Sequence, residues 1–94
     1  MTYKLGFHSD ALDEWRKLDN TVASQLQKKL IERLENPIVP SDRVSGGADL
    51  YKIKLRTVGY RLVYQVQNQQ LIVLVLSVGK RERNVAYKSA LFRC

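Results

Sequence analysis

Apolar and charged side chains alternate strictly from Tyr51 to Arg56. Tyr51, Ile53 and Leu55 hold one parity, and Lys52, Lys54 and Arg56 hold the other. A period of two sends alternate side chains to opposite faces of a strand, so the three cations leave one face together. A second strand follows Gly59, with Tyr60, Leu62, Tyr64 and Val66 on one parity and Arg61, Val63 and Gln65 on the other. A two-residue Val58-Gly59 loop pairs Thr57 with Tyr60, Leu55 with Leu62 and Ile53 with Tyr64. The same register sets Arg56 opposite Arg61 and Lys54 opposite Val63. A loop one residue longer would put Lys54 opposite Leu62 and mix the faces, so the pattern favours the short hairpin. One side of the hairpin is then core, and the other carries four cations with no carboxylate among them.

The rest of the chain reads around that hairpin. Tyr3, Leu5 and Phe7 alternate with Lys4 and Gly6 as a short first strand. Ser9 or Asp10 caps a helix in which Leu12, Trp15 and Leu18 recur at helical spacing, with Asp13 and Glu14 near its start. Trp15 beds that helix on the sheet. Asp19-Asn20 closes it, and Thr21 is the next N-cap. Val22, Leu26, Leu30 and Leu34 then form an apolar stripe, which Asn36-Pro37 ends because the residue before proline leaves helical geometry. Residues 37–50 hold both prolines and Gly46-Gly47, the signature of a flexible loop. Leu71–Val78 is apolar on both parities, as a strand buried on both faces should be. Asn84 opens a last short helix containing Val85, Tyr87, Lys88 and Leu91. The expected fold is α+β in the order β-α-α-β-β-β-α. It has an antiparallel sheet, a helical hairpin on one face and a short C-terminal helix, in one domain spanning 1–94. The cationic face lies on the solvent side, within reach of Lys80-Arg81.

Sixteen Lys and Arg against nine Asp and Glu give 94 residues a net charge of +7. Like charges on neighbouring strands repel, so a polyanion is the natural counterpart of the hairpin's outer face. Lys28, Lys29 and Arg33 add a basic stretch on the second helix, either a solvated face or a second surface for an RNA backbone. One His and a single, C-terminal Cys argue against a transition-metal site and exclude an internal disulfide. No run approaches a membrane span and no signal-peptide hydrophobic region precedes the first strand, so a cytosolic location is expected. His8 stands far in sequence from the cations and reads as a surface residue.

The segments YKIKLRTVGYRLVYQV and LSVGKRERNVAYKSA, with ALDEWRKLD and QLQKKLIERLENP, resemble the RelE family of bacterial toxins within the RelE/ParE superfamily. The resemblance covers the whole chain; loop 37–50, with Val44-Ser45-Gly46-Gly47-Ala48, is its least typical stretch. It implies the toxin half of a type II toxin–antitoxin pair in the bacterial cytoplasm. Such a toxin enters the ribosomal A site and cuts messenger RNA without a metal or other cofactor. A RelB-type antitoxin neutralises it, and operator DNA is met only through the antitoxin complex. Carried over residue by residue, Lys52 and Lys54 flank the scissile phosphate, with Lys54 the candidate base. Arg61 holds the transition-state phosphate, Arg81 serves the leaving group, and Tyr87 stacks on or hydrogen-bonds to the displaced nucleotide. Lys28, Lys29, Arg33, Arg56, Lys80 and Arg83 are the candidate RNA-binding cations. Plainer readings stand beside these: a solvated strand face for Lys52, Lys54 and Arg56, a pairing with Glu82 or a helix terminus for Arg81, and a core position in the last helix for Tyr87. A ParE-like toxin acting on DNA gyrase and a non-catalytic RNA-binding module are the rival functions. The joint presence of Lys54, Arg61, Arg81 and Tyr87 argues against the gyrase branch.

Overall fold

The computed structural model describes residues 2–80 and 85–94. The chain runs β1 (Lys4–Phe7), α1 (Ser9–Arg16), α2 (Asn20–Glu35), a 3-10 turn (Pro40–Asp42), β2 (Leu50–Leu55), β3 (Tyr60–Gln67), β4 (Ile72–Lys80) and α3 (Val85–Arg93). This is the expected α+β order. Both helix starts fall earlier than the sequence suggests. The strand passes into α1 with no intervening loop, so His8 is the cap and its Nδ1 accepts from the Asp10 N–H at 3.2 Å. Asp19, rather than Thr21, caps α2 by accepting from the Val22 N–H at 2.9 Å, the reach an N-cap carboxylate has to the third helical residue. Asn36 ends α2 ahead of Pro37 as expected. Among the described residues no helix is long and apolar enough to cross a membrane.

The four strands lie in the order β1-β4-β3-β2. β2–β3–β4 is an antiparallel meander, but β1 pairs with β4 in parallel, Lys4 opposite Ile72 and Phe7 opposite Val75. The sheet is therefore mixed, not antiparallel throughout. Only a tight hairpin forces the antiparallel sense, and β1 joins β4 through most of the chain. The hairpin register also differs from the short-loop expectation. Leu55 faces Tyr60, Lys54 faces Arg61 and Lys52 faces Val63, so residues 56–59 form the turn. A two-residue hairpin turn of either favoured type would need positive φ at its first central position, which the β-branched Val58 resists. The longer turn needs it only at Gly59 (φ 69°), whose N–H donates to the Leu55 carbonyl at 2.8 Å. The shift is by two residues, so both faces survive. Lys54, not Arg56, becomes the neighbour of Arg61.

Helices cover both faces. On one, Ala11, Val22, Leu26 and Leu30 pack on Tyr51, Ile53, Leu62, Tyr64, Val66 and Val75. On the other, Ala90 of α3 meets Leu50, Val63 and Leu76, with Val44 from the loop and Tyr87 alongside. The face expected to be open to solvent is thus roofed by α3 over β3 and β4, leaving β2 at its margin. A bulge at Val63/Tyr64 makes this possible. It sends two successive residues of β4 toward α3: Leu76 into the second core and Ser77, whose hydroxyl donates to the Ala86 carbonyl at 2.6 Å. The loop before β2 is pinned as well. Val44 is buried and its N–H donates to the Leu50 carbonyl at 2.9 Å, while Arg43 bridges to Tyr51.

Candidate functional site

Lys52 and Lys54 leave β2 on the α3 side of the sheet, where Lys54 stands directly opposite Arg61 of β3. The next residue across is Gly79 of β4, where an added Cβ would meet nothing within 4 Å. Tyr87, on the first turns of α3, completes the group. The Arg61 guanidinium lies 4.8 Å from its ring centroid and the Lys52 ammonium 6.0 Å. Cations over an aromatic face are held by the ring quadrupole, so Tyr87 draws two of the strand cations together. Lys52, Lys54, Arg61 and Tyr87 are all partly buried. The structure brings these four predicted residues into one site. Tyr87 belongs to both readings at once, flanking the second core while it faces the cations.

Crowding of like charge has a chemical consequence. The charge of Lys52 first, then desolvation, then Arg61 and Arg56, hold the Lys54 pKa below its ordinary 10.5. Each of these disfavours an ammonium and raises the share of neutral amine. Lys54, Arg56 and Arg61 border a hollow of about 280 Å³ whose described lining holds no carboxylate. A wider groove of about 600 Å³ continues from Lys54 and Arg56 to Lys28 and Lys29 on α2, with Glu32 the one acid of its described lining. The helix lysines and the strand cations thus border one continuous basic surface.

Two other expectations turn out differently. Arg33 does not face outward. It donates to the Asp42 carboxylate at 2.6 Å, to the Tyr64 hydroxyl at 2.8 Å and to the Lys52 carbonyl at 3.1 Å. Burial, the largest influence, opposes its charge, but the bonds to Tyr64 and Asp42 outweigh it and its pKa is raised. One helical turn from Lys29 on α2, it reads in the sequence as part of the same basic face; nothing local signals that Asp42 folds back over it. Lys80 pairs with Tyr60, which packs on the helical-hairpin core, so the β4 bulge has moved it to the parity opposite Lys54 and Arg61. Arg81 and Arg83 lie outside the described residues.

One cluster went unread in the sequence. β1 stops opposite Val75, leaving the edge of β4 open beyond it. There Glu14 accepts from the Val78 N–H at 3.1 Å, while Arg93 donates to the Leu76 carbonyl at 2.7 Å and to Glu14 at 2.8 Å. Two side chains replace the missing strand. Because Arg93 ends α3, they also fasten the helix that carries Tyr87. A basic residue in a helix's last turn suits the dipole, which is the sole local hint of it.

A small α+β domain with an aromatic-backed cationic site on its sheet is what known proteins can be compared with. The family model for the ParE toxin of the type II toxin–antitoxin system parDE matches residues 5–85. The chain is 54% identical over 93 residues to the mRNA interferase toxin RelE of Escherichia coli strain K12, covering 99% of this chain and 98% of the relative. An Arg-to-Ala double variant of E. coli RelE in the free state superposes with a TM-score of 0.91 at 52% identity, covering 99% and 98% of the two chains. A chain of the intact E. coli RelBE toxin–antitoxin complex matches with a TM-score of 0.83 at 56% identity, covering 86% of this chain and 99% of that one. This chain belongs to the RelE family of type II toxin–antitoxin toxins, within the RelE/ParE superfamily.

Proposed function

We propose that this chain is the toxin of a type II pair and an endoribonuclease that cuts messenger RNA in the ribosomal A site, inhibiting translation. The observation that carries this reading is Lys54. It is a lysine whose pKa is lowered by Lys52 and Arg61, set opposite Arg61 in a hollow of about 280 Å³ whose described lining holds no carboxylate. Neutral Lys54 takes the proton of the 2′-hydroxyl. The 2′-oxygen forms its bond to phosphorus as the bond to the 5′-oxygen breaks, giving a 2′,3′-cyclic phosphate and a 5′-hydroxyl. Arg61 and Lys52 stabilise the added charge on the phosphorane, the electrostatic contribution that dominates many such reactions. Tyr87 fixes Arg61 and borders the nucleotide. The proton for the 5′-oxygen is assigned to Arg81, which is outside the described residues.

The groove toward Lys28 and Lys29 supplies contacts to ribosomal RNA, with Arg56 between the two surfaces. Positioning by the ribosome adds to these side-chain roles, since orientation alone can lower a barrier by several kcal/mol. A RelB-type antitoxin that is acidic where it touches these cations neutralises the toxin, and operator DNA is met only through that complex. The reaction runs on Lys, Arg and Tyr without a metal. Replacing magnesium by a polyamine that keeps ribosomes intact is therefore expected to change the single-turnover rate by less than about tenfold, or 1.4 kcal/mol, and to leave cyclic-phosphate ends. Loss of cutting on intact ribosomes with rescue by manganese would overturn the metal-free route. Ribosome binding without any cutting would reveal a non-catalytic module.

A further inference from the structure

A smaller hollow, of about 170 Å³, brings the reacting lysine and an acid together at the outer edge of β2. Lys54 and Arg56 border it from the strand, Lys29, Glu32 and Arg33 from α2, and Asp42 from the 3-10 turn. β2 is the last strand of the sheet, so no further strand separates the helical side from Lys54 along this edge. A carboxylate facing a lysine stabilises its ammonium. It would oppose the crowding by Lys52, desolvation, Arg61 and Arg56 that holds the Lys54 pKa down.

Asp42 is kept from doing so. Arg33 Nη2 donates to Asp42 Oδ2 at 2.6 Å, while Arg33 Nη1 donates to the Tyr64 hydroxyl at 2.8 Å and to the Lys52 carbonyl at 3.1 Å. One nitrogen of the guanidinium is thus fixed on the sheet, and the other is offered to the acid. The sheet end is itself anchored, because Tyr64 is buried and donates to the Pro37 carbonyl at 2.8 Å. A planar fork held at one arm fixes the direction of the partner on the other. Among the described residues, the ion pair to Arg33 is the one that Asp42 makes. Glu32, the other acid of the hollow's described lining, has Lys28 and Lys29 one helical turn before it.

The remaining surroundings of Lys54 are cationic or neutral. Lys52 and Arg56 share its strand, Arg61 and Tyr60 face it from β3, and Tyr87 of α3 stands behind Lys52 and Arg61. Only α2, with Lys28, Lys29 and Glu32, and the 3-10 turn, with Asp42, bring described acids to its hollows. We infer that Arg33 is a positioning residue of the cleavage site, one that holds the Asp42 carboxylate off Lys54. Its guanidinium meets the reacting group only at the Lys52 backbone, and it acts on the chemistry through Asp42. The inference rests on the RNA-cleaving reading and extends it to the helical side of the sheet. Without Arg33, Asp42 turns toward the cations of the hollow, the Lys54 ammonium gains an opposite charge, and its pKa rises.

The test uses the whole protein and two readouts. One is the titration of Lys54, followed by NMR of isotope-labelled lysine Cε and assigned with Lys54→Arg. The other is the single-turnover pH–rate profile on ribosome-bound messenger. Arg33→Met is expected to raise both midpoints by about half a unit to one unit, the scale of one new, partly exposed ion pair. At a fixed pH below the inflection, cutting then falls about three- to tenfold, in step with the loss of neutral amine. Arg33→Lys keeps a cation for Asp42 and should bring both midpoints most of the way back. Asp42→Asn and R33M/D42N also lose the ion pair but leave no carboxylate to be freed, so their midpoints should stay at or below the parent's. A rise in Arg33→Met, Asp42→Asn and the double variant alike would reduce Arg33 to a purely structural clasp and overturn the inference. So would a Lys54 midpoint that Arg33→Met leaves unmoved. If the Lys54 titration moves as stated but the parent leaves messenger uncut, the role of Arg33 stands and the nuclease reading falls.

Discussion

Replacing Arg33 by methionine tests whether that cation is a structural clasp or a surface contact. Methionine keeps an unbranched apolar stem against α2 but removes the three hydrogen bonds to Asp42, Tyr64 and the Lys52 carbonyl. The Arg33 and Asp42 side chains are 17% and 30% exposed, so the pair is partly desolvated rather than fully buried. A buried hydrogen bond to a charged group is worth about 1.5–3 kcal/mol, and an exposed pair at most about 1 kcal/mol. Once Arg33 is gone, water can reach Asp42, and the Tyr64 hydroxyl keeps its bond to the Pro37 carbonyl at 2.8 Å. The loss is then about 2 kcal/mol, below the sum of the parts because two of the three acceptors keep a partner or meet water. For a domain of this size that lowers Tm by roughly 10 °C. The assay is urea unfolding, in which the midpoint should fall with an unchanged slope. Arg33→Lys should recover about half, since one ammonium cannot serve three acceptors in a fork. A cycle with Asp42→Asn should give a coupling of about 1 kcal/mol. Stability of Arg33→Met within about 0.5 kcal/mol of the parent, together with weaker ribosome binding, would refute the clasp and restore Arg33 to the RNA-facing surface.

The role proposed for neutral Lys54 as base requires that cleavage rise with pH and level off above its pKa, which lies below 10.5. Arg56→Gln removes one of the like charges that lower it, so the inflection of the single-turnover pH–rate profile should move to higher pH; an unmoved or lower inflection counts against Lys54. Arg93→Ala unfastens the end of α3 from Glu14 and Leu76. Amides of 86–93 should then exchange about tenfold faster by mass spectrometry, with a matching fall in cutting through Tyr87; unchanged protection would show that Ala86 and Ala90 hold the helix alone. Gly47→Ala places a Cβ 2.5 Å from Leu50 Cδ1, in the second core. It should cost about 1–3 kcal/mol in urea unfolding, and a neutral result would mean the loop yields freely. Lys28→Ala with Lys29→Ala should weaken ribosome binding and flatten its salt dependence, and a parent-like salt slope would make that helix face a solvated one.

Alternation along Tyr51–Arg56 and Tyr60–Val66 was enough to place Lys52, Lys54 and Arg61 on one face, because a period of two is a property of the backbone and survives any shift of two residues. Helical spacing on either side of Asp19, and the proline after Asn36, likewise marked α1 and α2 without tertiary help. Which cations touch was decided by the turn. Val58 resists the positive φ a two-residue loop requires, so the register moved and Lys54 met Arg61. The bulge in β4 lies equally beyond local pattern: an all-apolar strand looks the same with or without it, yet it turned Lys80 away and gave Ser77 to α3. Arg33 and Arg93 illustrate the same limit from the side of charge. A lone cation in sequence looks solvated, and only the chain returning at Asp42, or the strand edge left open beyond Val75, supplies the acceptors that fix it.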